Sequence, residues 1–172
     1  MDVNFSFLPI TDADARAIFA WRYDGPYAAY NTADSVEADA LSELLDPRSP
    51  YFAVHDAGHE SEPPLAFFAL GSSCEVGREI GAPYTLRPDG SATVGLGLRP
   101  DLTGRGLGLS LMQAGLDYAH ERYDPTGFRL YVYAWNARAI RVYERAGFVA
   151  VGETRVPAND GERVFIEMTR SR

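Results

Sequence analysis

Gly104, Gly106 and Gly108 stand at alternate positions in RPDLTGRGLGLSLMQ, Arg99 to Gln113, just ahead of a leucine-rich amphipathic segment. Glycine is unfavourable where a helix must start, so the spacing asks for bare backbone. Without Cβ atoms, successive N–H groups can converge on one point, and the following helix adds unpaired amides and the positive end of its dipole. The chemistry on offer is phosphate capture. The plain alternative is a tight turn, which needs fewer glycines than the three present.

Spacing narrows the phosphate ligand. The dinucleotide fingerprint GxGxxG would need glycine at the position held by Leu109, and the next strand, FRLYVYA, does not end in an acid that could hold a ribose. The chain contains no lysine, which removes any GxxxxGK[ST] loop.

A second stretch, NARAIRVYERAGF, runs from Asn136 to Phe148. Asn136 suits a helix N-cap, and Tyr143, seven residues on, lies two turns into that helix on the same face. Both could address one extended ligand. Packing in the core beside Ile140 and Ala146 is the alternative for Tyr143.

Around these residues the chain reads as alternating elements. VNFSFLP alternates like a half-buried strand, and Thr11 caps a helix with acids in its first turn. WRYDGPYAAYN breaks the pattern with a Gly-Pro pair and four aromatics, Trp21, Tyr23, Tyr27 and Tyr30, before a short helix in VEADALSELL. YFAVHD and PLAFFALG form a hairpin, Ser72 to Ser91 is irregular, and ATVGLGLRP is a strand whose Gly95 and Gly97 mark a bulge or a close approach. Ser110, Gln113, Asp117 and Glu121 give the next helix one polar stripe, while FVAVGETR and ERVFIEMT close the chain as an antiparallel pair.

Composition sets the class. The 172 residues, 46% hydrophobic and 12% aromatic, suit one domain over 1–172. No run reaches the roughly 18 apolar residues of a membrane span. The start MDVNFSFLPITDADA lacks signal-peptide character and Cys74 is the sole cysteine, so a cytoplasmic location is expected. A net charge of -8 opposes a nucleic-acid surface.

LRPDLTGRGLGLSL followed by NARAIRVYERAGF closely resembles the GNAT superfamily of acyl-CoA-dependent N-acetyltransferases. The likeness is strong over residues 92–155 and compatible in element order over 1–91. It implies an α/β fold with a mixed, mostly antiparallel sheet of about six to seven strands, one splayed pair and about four helices. It implies acetyl-CoA as co-substrate and no metal. The family's [QR]xxGx[GA] loop falls on Thr103, Gly104, Arg105, Gly106, Leu107 and Gly108, whose amides would hold the pyrophosphate. Thr103 departs from the usual Gln or Arg, though its hydroxyl could still bond phosphate. Leu96 and Leu98 would meet the pantetheine arm through main-chain groups, with Gly95 and Gly97 easing the approach. Asn136 would bond the pantetheine amide, and Tyr143 would face the departing thiolate as catalytic acid.

The resemblance places the acceptor site near Trp21, Tyr23, Tyr27 and Tyr30, where packing of the helices onto the sheet is the alternative use of the rings. No general base stands out. His55, His59 and His120 read as surface residues, and Glu75 and Glu79 are weak candidates for which a solvated loop carboxylate is the favoured alternative. An α-amine with pKa near 8 is about one tenth neutral at pH 7, whereas a lysine-type amine near 10.4 is neutral in fewer than about one molecule in a thousand. Lacking a base, the chain is expected to favour an α-amine or a weakly basic amine, on a small molecule or a protein N-terminus, and to act as monomer or homodimer. A non-catalytic acyl-CoA sensor on the same fold is the competing function.

Overall fold

The computed structural model describes residues 3–31, 37–77, 82–158 and 161–172. Thr11 starts the first helix as expected: its hydroxyl accepts from the Asp14 amide at 3.2 Å, and the Asp14 carboxylate accepts from the Thr11 amide at 3.1 Å. That reciprocal cap separates strand β1 (Phe5–Pro9) from helix α1 (Asp12–Phe19). A 3-10 segment, Gly25–Tyr30, occupies the aromatic stretch, and helix α2 (Glu37–Leu44) follows.

Strands β2 (Tyr51–Asp56) and β3 (Ala66–Leu70) pair as the expected hairpin, and β4 (Ala92–Leu98) lies antiparallel to β3. Helix α3 (Leu107–Tyr123) then crosses to β5 (Gly127–Tyr133), α4 (Ala137–Arg145) follows, and β6 (Val149–Ala158) and β7 (Gly161–Ser171) close the chain. The strands form one sheet in the order β1-β2-β3-β4-β5-β7-β6. Every neighbouring pair is antiparallel except β4 and β5.

Alternation sorts the sheet's two faces. Phe52, Val54, Phe68, Leu70 and Val94 are buried together with Leu111, Met112 and Leu116 of α3, which forms the main core. The polar stripe of α3, Ser110, Gln113, Asp117 and Glu121, is exposed. On the opposite face, Tyr51, Phe67, Ala69, Gly95 and Gly97 share one side of three adjacent strands, by their register and the two-residue period.

The parallel pair sets the position of the site. β4 and β5 are paired only at Ala92↔Phe128 and Thr93↔Arg129, and beyond Thr93 the strands part. Sheet closure is thus interrupted in the middle, beside the N-terminus of α3.

Candidate active site

Main-chain direction follows from the ladder. The Gly71 amide donates to the Thr93 carbonyl and the Arg99 amide to the Leu65 carbonyl, both at 2.8 Å, so odd-numbered residues of β4 face β3. Val94, Leu96 and Leu98 therefore turn their peptide groups toward the gap left by β5. A cleft of about 700 Å³ opens there and extends along Gly104, Gly106 and Gly108 to α4.

At the loop, Gly104 and Gly106 have φ of +76° and +84°, and added Cβ atoms would meet nothing within 4 Å. These two glycines are required by backbone conformation in an open concavity, not by a crowded turn. Gly108 has a different reason: its position would hold a Cβ 3.4 Å from Val142, an ordinary contact between α3 and α4. Among the described residues, no amide from Gly104 to Gly106 donates to a backbone carbonyl outside regular elements. Leu107, Gly108 and Leu109 head α3, where amides have no partner in the helix, and Gly106 provides no side-chain cap.

Side chains in and beside this loop have engagements of their own. Thr103 has both donors engaged by Pro100, its hydroxyl at 2.8 Å and its amide at 3.2 Å, because it closes the 3-10 turn Pro100–Leu102. A phosphate bond from Thr103 would have to replace one of these two. Arg105 is exposed and its side chain does not line the cleft; Leu107 is buried in the core, which leaves each only its amide to offer. Gly97 exists to admit a neighbour: a Cβ there would lie 2.3 Å from the Phe67 ring.

Asn136 is 5% exposed and doubly engaged. Its Oδ1 accepts from the Ala139 amide at 3.1 Å, capping α4, and its Nδ2 donates to the Tyr30 hydroxyl at 2.9 Å. One amide hydrogen is left for a ligand. Tyr143, half-buried on α4, lines the same cleft with its ring near Phe148 and packs against the core, so it also meets the packing role. Burial first, and then the nearby Tyr30, raises the Tyr143 hydroxyl well above its ordinary pKa, which keeps it protonated through the neutral range.

The four aromatics of the early turn all line the cleft but divide by partner. The Tyr23 hydroxyl donates to the Leu98 carbonyl at 2.8 Å, so Leu98 presents only its amide to the gap. Burial, with a smaller contribution from Tyr30, pushes the Tyr23 pKa up to about 12. Tyr30 and Tyr27 join Trp135 and Tyr133 beside α4, and the Arg138 guanidinium sits 4.2 Å above the Tyr27 ring. Trp21 instead stacks on Phe67 at 6.3 Å, and Tyr51 meets the same ring at 6.0 Å.

The base candidates fare differently from expectation. The Glu75 side chain is fully buried: Thr93, Tyr84 and Arg87 converge on one carboxylate oxygen, and Tyr131 reaches the other at 3.3 Å. Burial raises its pKa, yet the hydrogen bonds from Thr93, Arg87 and Tyr84 outweigh that and hold it below the usual range. A carboxylate so engaged is a poor base and no loop ornament either. Glu79 lies outside the described residues. His55 is buried, not a surface residue, because β2 is an interior strand; its Nδ1 lies 3.1 Å from the Glu62 carbonyl. None of the three histidines lines the cleft.

Phe67, Tyr51, Cys74, Tyr131 and Arg138 also line it, and the sequence reading assigned them no role there. Phe67 had a signal: adjacent phenylalanines on an interior strand point to opposite faces, so one of them must leave the core. Among the described residues, no group of three His, Cys, Asp or Glu could hold a metal, and no helix is long and apolar enough to cross a membrane.

Residues 5–149 match the acetyltransferase (GNAT) domain family. A curated mycothiol acetyltransferase of Streptomyces coelicolor is 50% identical over 54 residues, 31% of this chain and 17% of that protein. One of Propionibacterium freudenreichii is 42% identical over 65 residues, 38% of this chain and 20% of that protein. The matches thus span a fifth or less of these relatives' length. Among solved structures, a chimera of the Vibrio cholerae spermidine N-acetyltransferase SpeG and hSSAT superimposes with a TM-score of 0.71 at 19% identity, over 97% of this chain and 94% of that one. The Vibrio cholerae spermidine N-acetyltransferase in complex with CoA and spermine gives 0.68 at 19% identity, over 97% and 95%. At that identity the likeness is one of fold.

Proposed function

The chain belongs to the GNAT acetyltransferase family, and from that premise we propose that it transfers an acetyl group from acetyl-CoA to a primary amine within a ternary complex. The observation that carries the reading is the parting of β4 from β5 after Thr93, in line with the open amides of the glycine loop. A pantetheine arm is an extended chain of amides, and the gap offers it the peptide groups of Leu96 and the Leu98 amide in the manner of a missing strand. The amides from Gly104 to Gly108 take the pyrophosphate.

The acceptor nitrogen attacks the acetyl carbon; the N–C bond forms, the C–S bond breaks, the nitrogen loses a proton and the sulfur gains one. A main-chain amide facing the gap polarises the thioester carbonyl. Tyr143 donates a hydrogen bond to the departing sulfur. Its raised pKa makes full proton transfer to a thiolate, whose reference value is about 8.5, an uphill step, so the hydroxyl supports the leaving group and the amine's proton reaches sulfur through solvent. With Glu75 engaged elsewhere, the nucleophile arrives as the neutral amine.

Calorimetric titration with acetyl-CoA, followed by thiol release on adding amines, tests this. Saturable binding with amine-dependent thiol release is expected. Binding without release from any amine would make the protein an acyl-CoA sensor, and absence of binding would remove the coenzyme reading altogether.

A further inference from the structure

One part of the cleft lies away from the glycine loop assigned above to the coenzyme. It lies between α1 and the sheet face of β2, β3 and β4, walled by Ile18, Trp21, Tyr51, Phe67, Ala69 and Cys74. The Phe67 ring covers Gly97, with Trp21 near-parallel to it at an interplanar angle of 23° and Tyr51 tilted at 47°. The three rings touch in series and all line the cleft.

Charge is arranged the opposite way from what a polycation needs. Among the described residues, no carboxylate lines the cleft, and its only charged lining groups are the cations Arg138 and Arg145 on α4. Glu75 is neutralised by Arg87, and the exposed Glu43 is the one carboxylate whose charge is felt at both Tyr51 and Cys74. An acceptor carrying several ammonium groups would place them against apolar rings or facing arginines, which is unfavourable without paired anions.

We infer that the acceptor is a primary amine on a flat, apolar body, aromatic or short aliphatic, with a single cationic centre that sheds its proton before attack. This rests on the acetyl-transfer reading above. Ring faces hold the body, and the amine is left at the gap mouth, where its nitrogen displaces sulfur from the acetyl carbon.

The test uses the full chain with acetyl-CoA and three probes: 2-phenylethylamine, hexylamine and spermidine. The expected kcat/KM for 2-phenylethylamine exceeds that for spermidine by at least about tenfold, with hexylamine between them. Trp21→Leu should lower kcat/KM for 2-phenylethylamine by roughly fivefold to tenfold while leaving the coenzyme dissociation constant in place. The wild-type panel decides the matter even if that variant folds poorly. Preference for spermidine, or tight acetyl-CoA binding with no turnover of either apolar amine, overturns the inference while sparing the coenzyme site. Failure to bind acetyl-CoA takes down both.

Discussion

The two parts of the cleft that we assign to the coenzyme and to the acceptor, the coenzyme lobe and the acceptor lobe, are built from different materials. The coenzyme lobe is mostly backbone: the peptide groups of Leu96, the Leu98 amide, and the open amides between Gly104 and Gly108 at the head of α3. The acceptor lobe is almost all side chain, with Trp21, Tyr51 and Phe67 drawn from α1's end, β2 and β3. Backbone recognition depends on conformation and so tolerates few residue types at a few positions. Side-chain recognition depends on surface chemistry and can be altered one residue at a time. Substitutions in the first lobe should therefore strike binding or chemistry of the coenzyme whatever the acceptor, and those in the second should discriminate among acceptors.

The largest expected effect is on chemistry, at the point where the lobes meet. Tyr143→Phe keeps the ring against the core and removes only the hydroxyl, so stability and coenzyme affinity should change little. A donor aimed at charge that develops in the transition state is worth about 10² to 10³ in rate, and a thiolate leaves tolerably unaided, so kcat should fall by roughly 10². Burial disfavours the phenolate and holds the Tyr143 pKa above its ordinary value, so its loss should leave no break in the neutral pH range. Instead, kcat/KM should rise with pH to the acceptor amine's own pKa, because only the neutral amine attacks. Changing to a less basic amine should move the break down. A break that stays fixed would reveal a base in the protein, and wild-type turnover by Tyr143→Phe with chemistry rate-limiting would reduce the tyrosine to packing.

The next effect tests the backbone lobe by itself. Gly106 holds φ at +84°, and a Cβ there meets nothing within 4 Å, but valine cannot keep that conformation without strain of about 1 to 3 kcal/mol. Its amide should turn away from the phosphate. Losing one charge-assisted hydrogen bond of about 2 kcal/mol weakens acetyl-CoA binding roughly thirtyfold by calorimetry, with relative rates among acceptors unchanged. Unaltered affinity in a folded Gly106→Val would mean that the loop holds no phosphate.

The difference between the lobes also governs what the sequence makes legible. A backbone site needs glycines and a cap at fixed short spacings, so the loop, Asn136, Tyr143 and the strand before them can all be read from contiguous residues. The splay follows from family resemblance, since nothing in ATVGLGLRP says where pairing with a strand thirty residues later will stop. The acceptor lobe depends on the register of three strands, which brings Tyr51, Phe67 and Gly97 together from distant segments. Composition and local period carry no such information. Glu75 is illegible for a related reason: Tyr84 and Arg87 reach it from the far part of its own loop and Thr93 and Tyr131 from β4 and β5, and only the fold brings these four together to make it a buried anchor.

The smallest expected effect tests where the boundary between the lobes falls. From the sequence, Tyr27 belongs with Trp21 as part of an acceptor wall. In the fold its ring packs against Trp135 at 5.5 Å and beneath the Arg138 guanidinium at 4.2 Å, beside the α4 cap that Asn136 forms. Arg138 lines the cleft, and the ring holds its charge in position there. Removing the ring frees Arg138 to turn toward solvent, where it serves an anionic coenzyme less well. A cation-π contact at a site this open is worth about 0.5 to 1 kcal/mol, so Tyr27→Ala should weaken acetyl-CoA binding only about twofold to fivefold. The acceptor KM measured at saturating coenzyme should stay where it is. If KM rises and the coenzyme dissociation constant does not, Tyr27 belongs to the acceptor lobe and the boundary must be moved to the far side of Arg138.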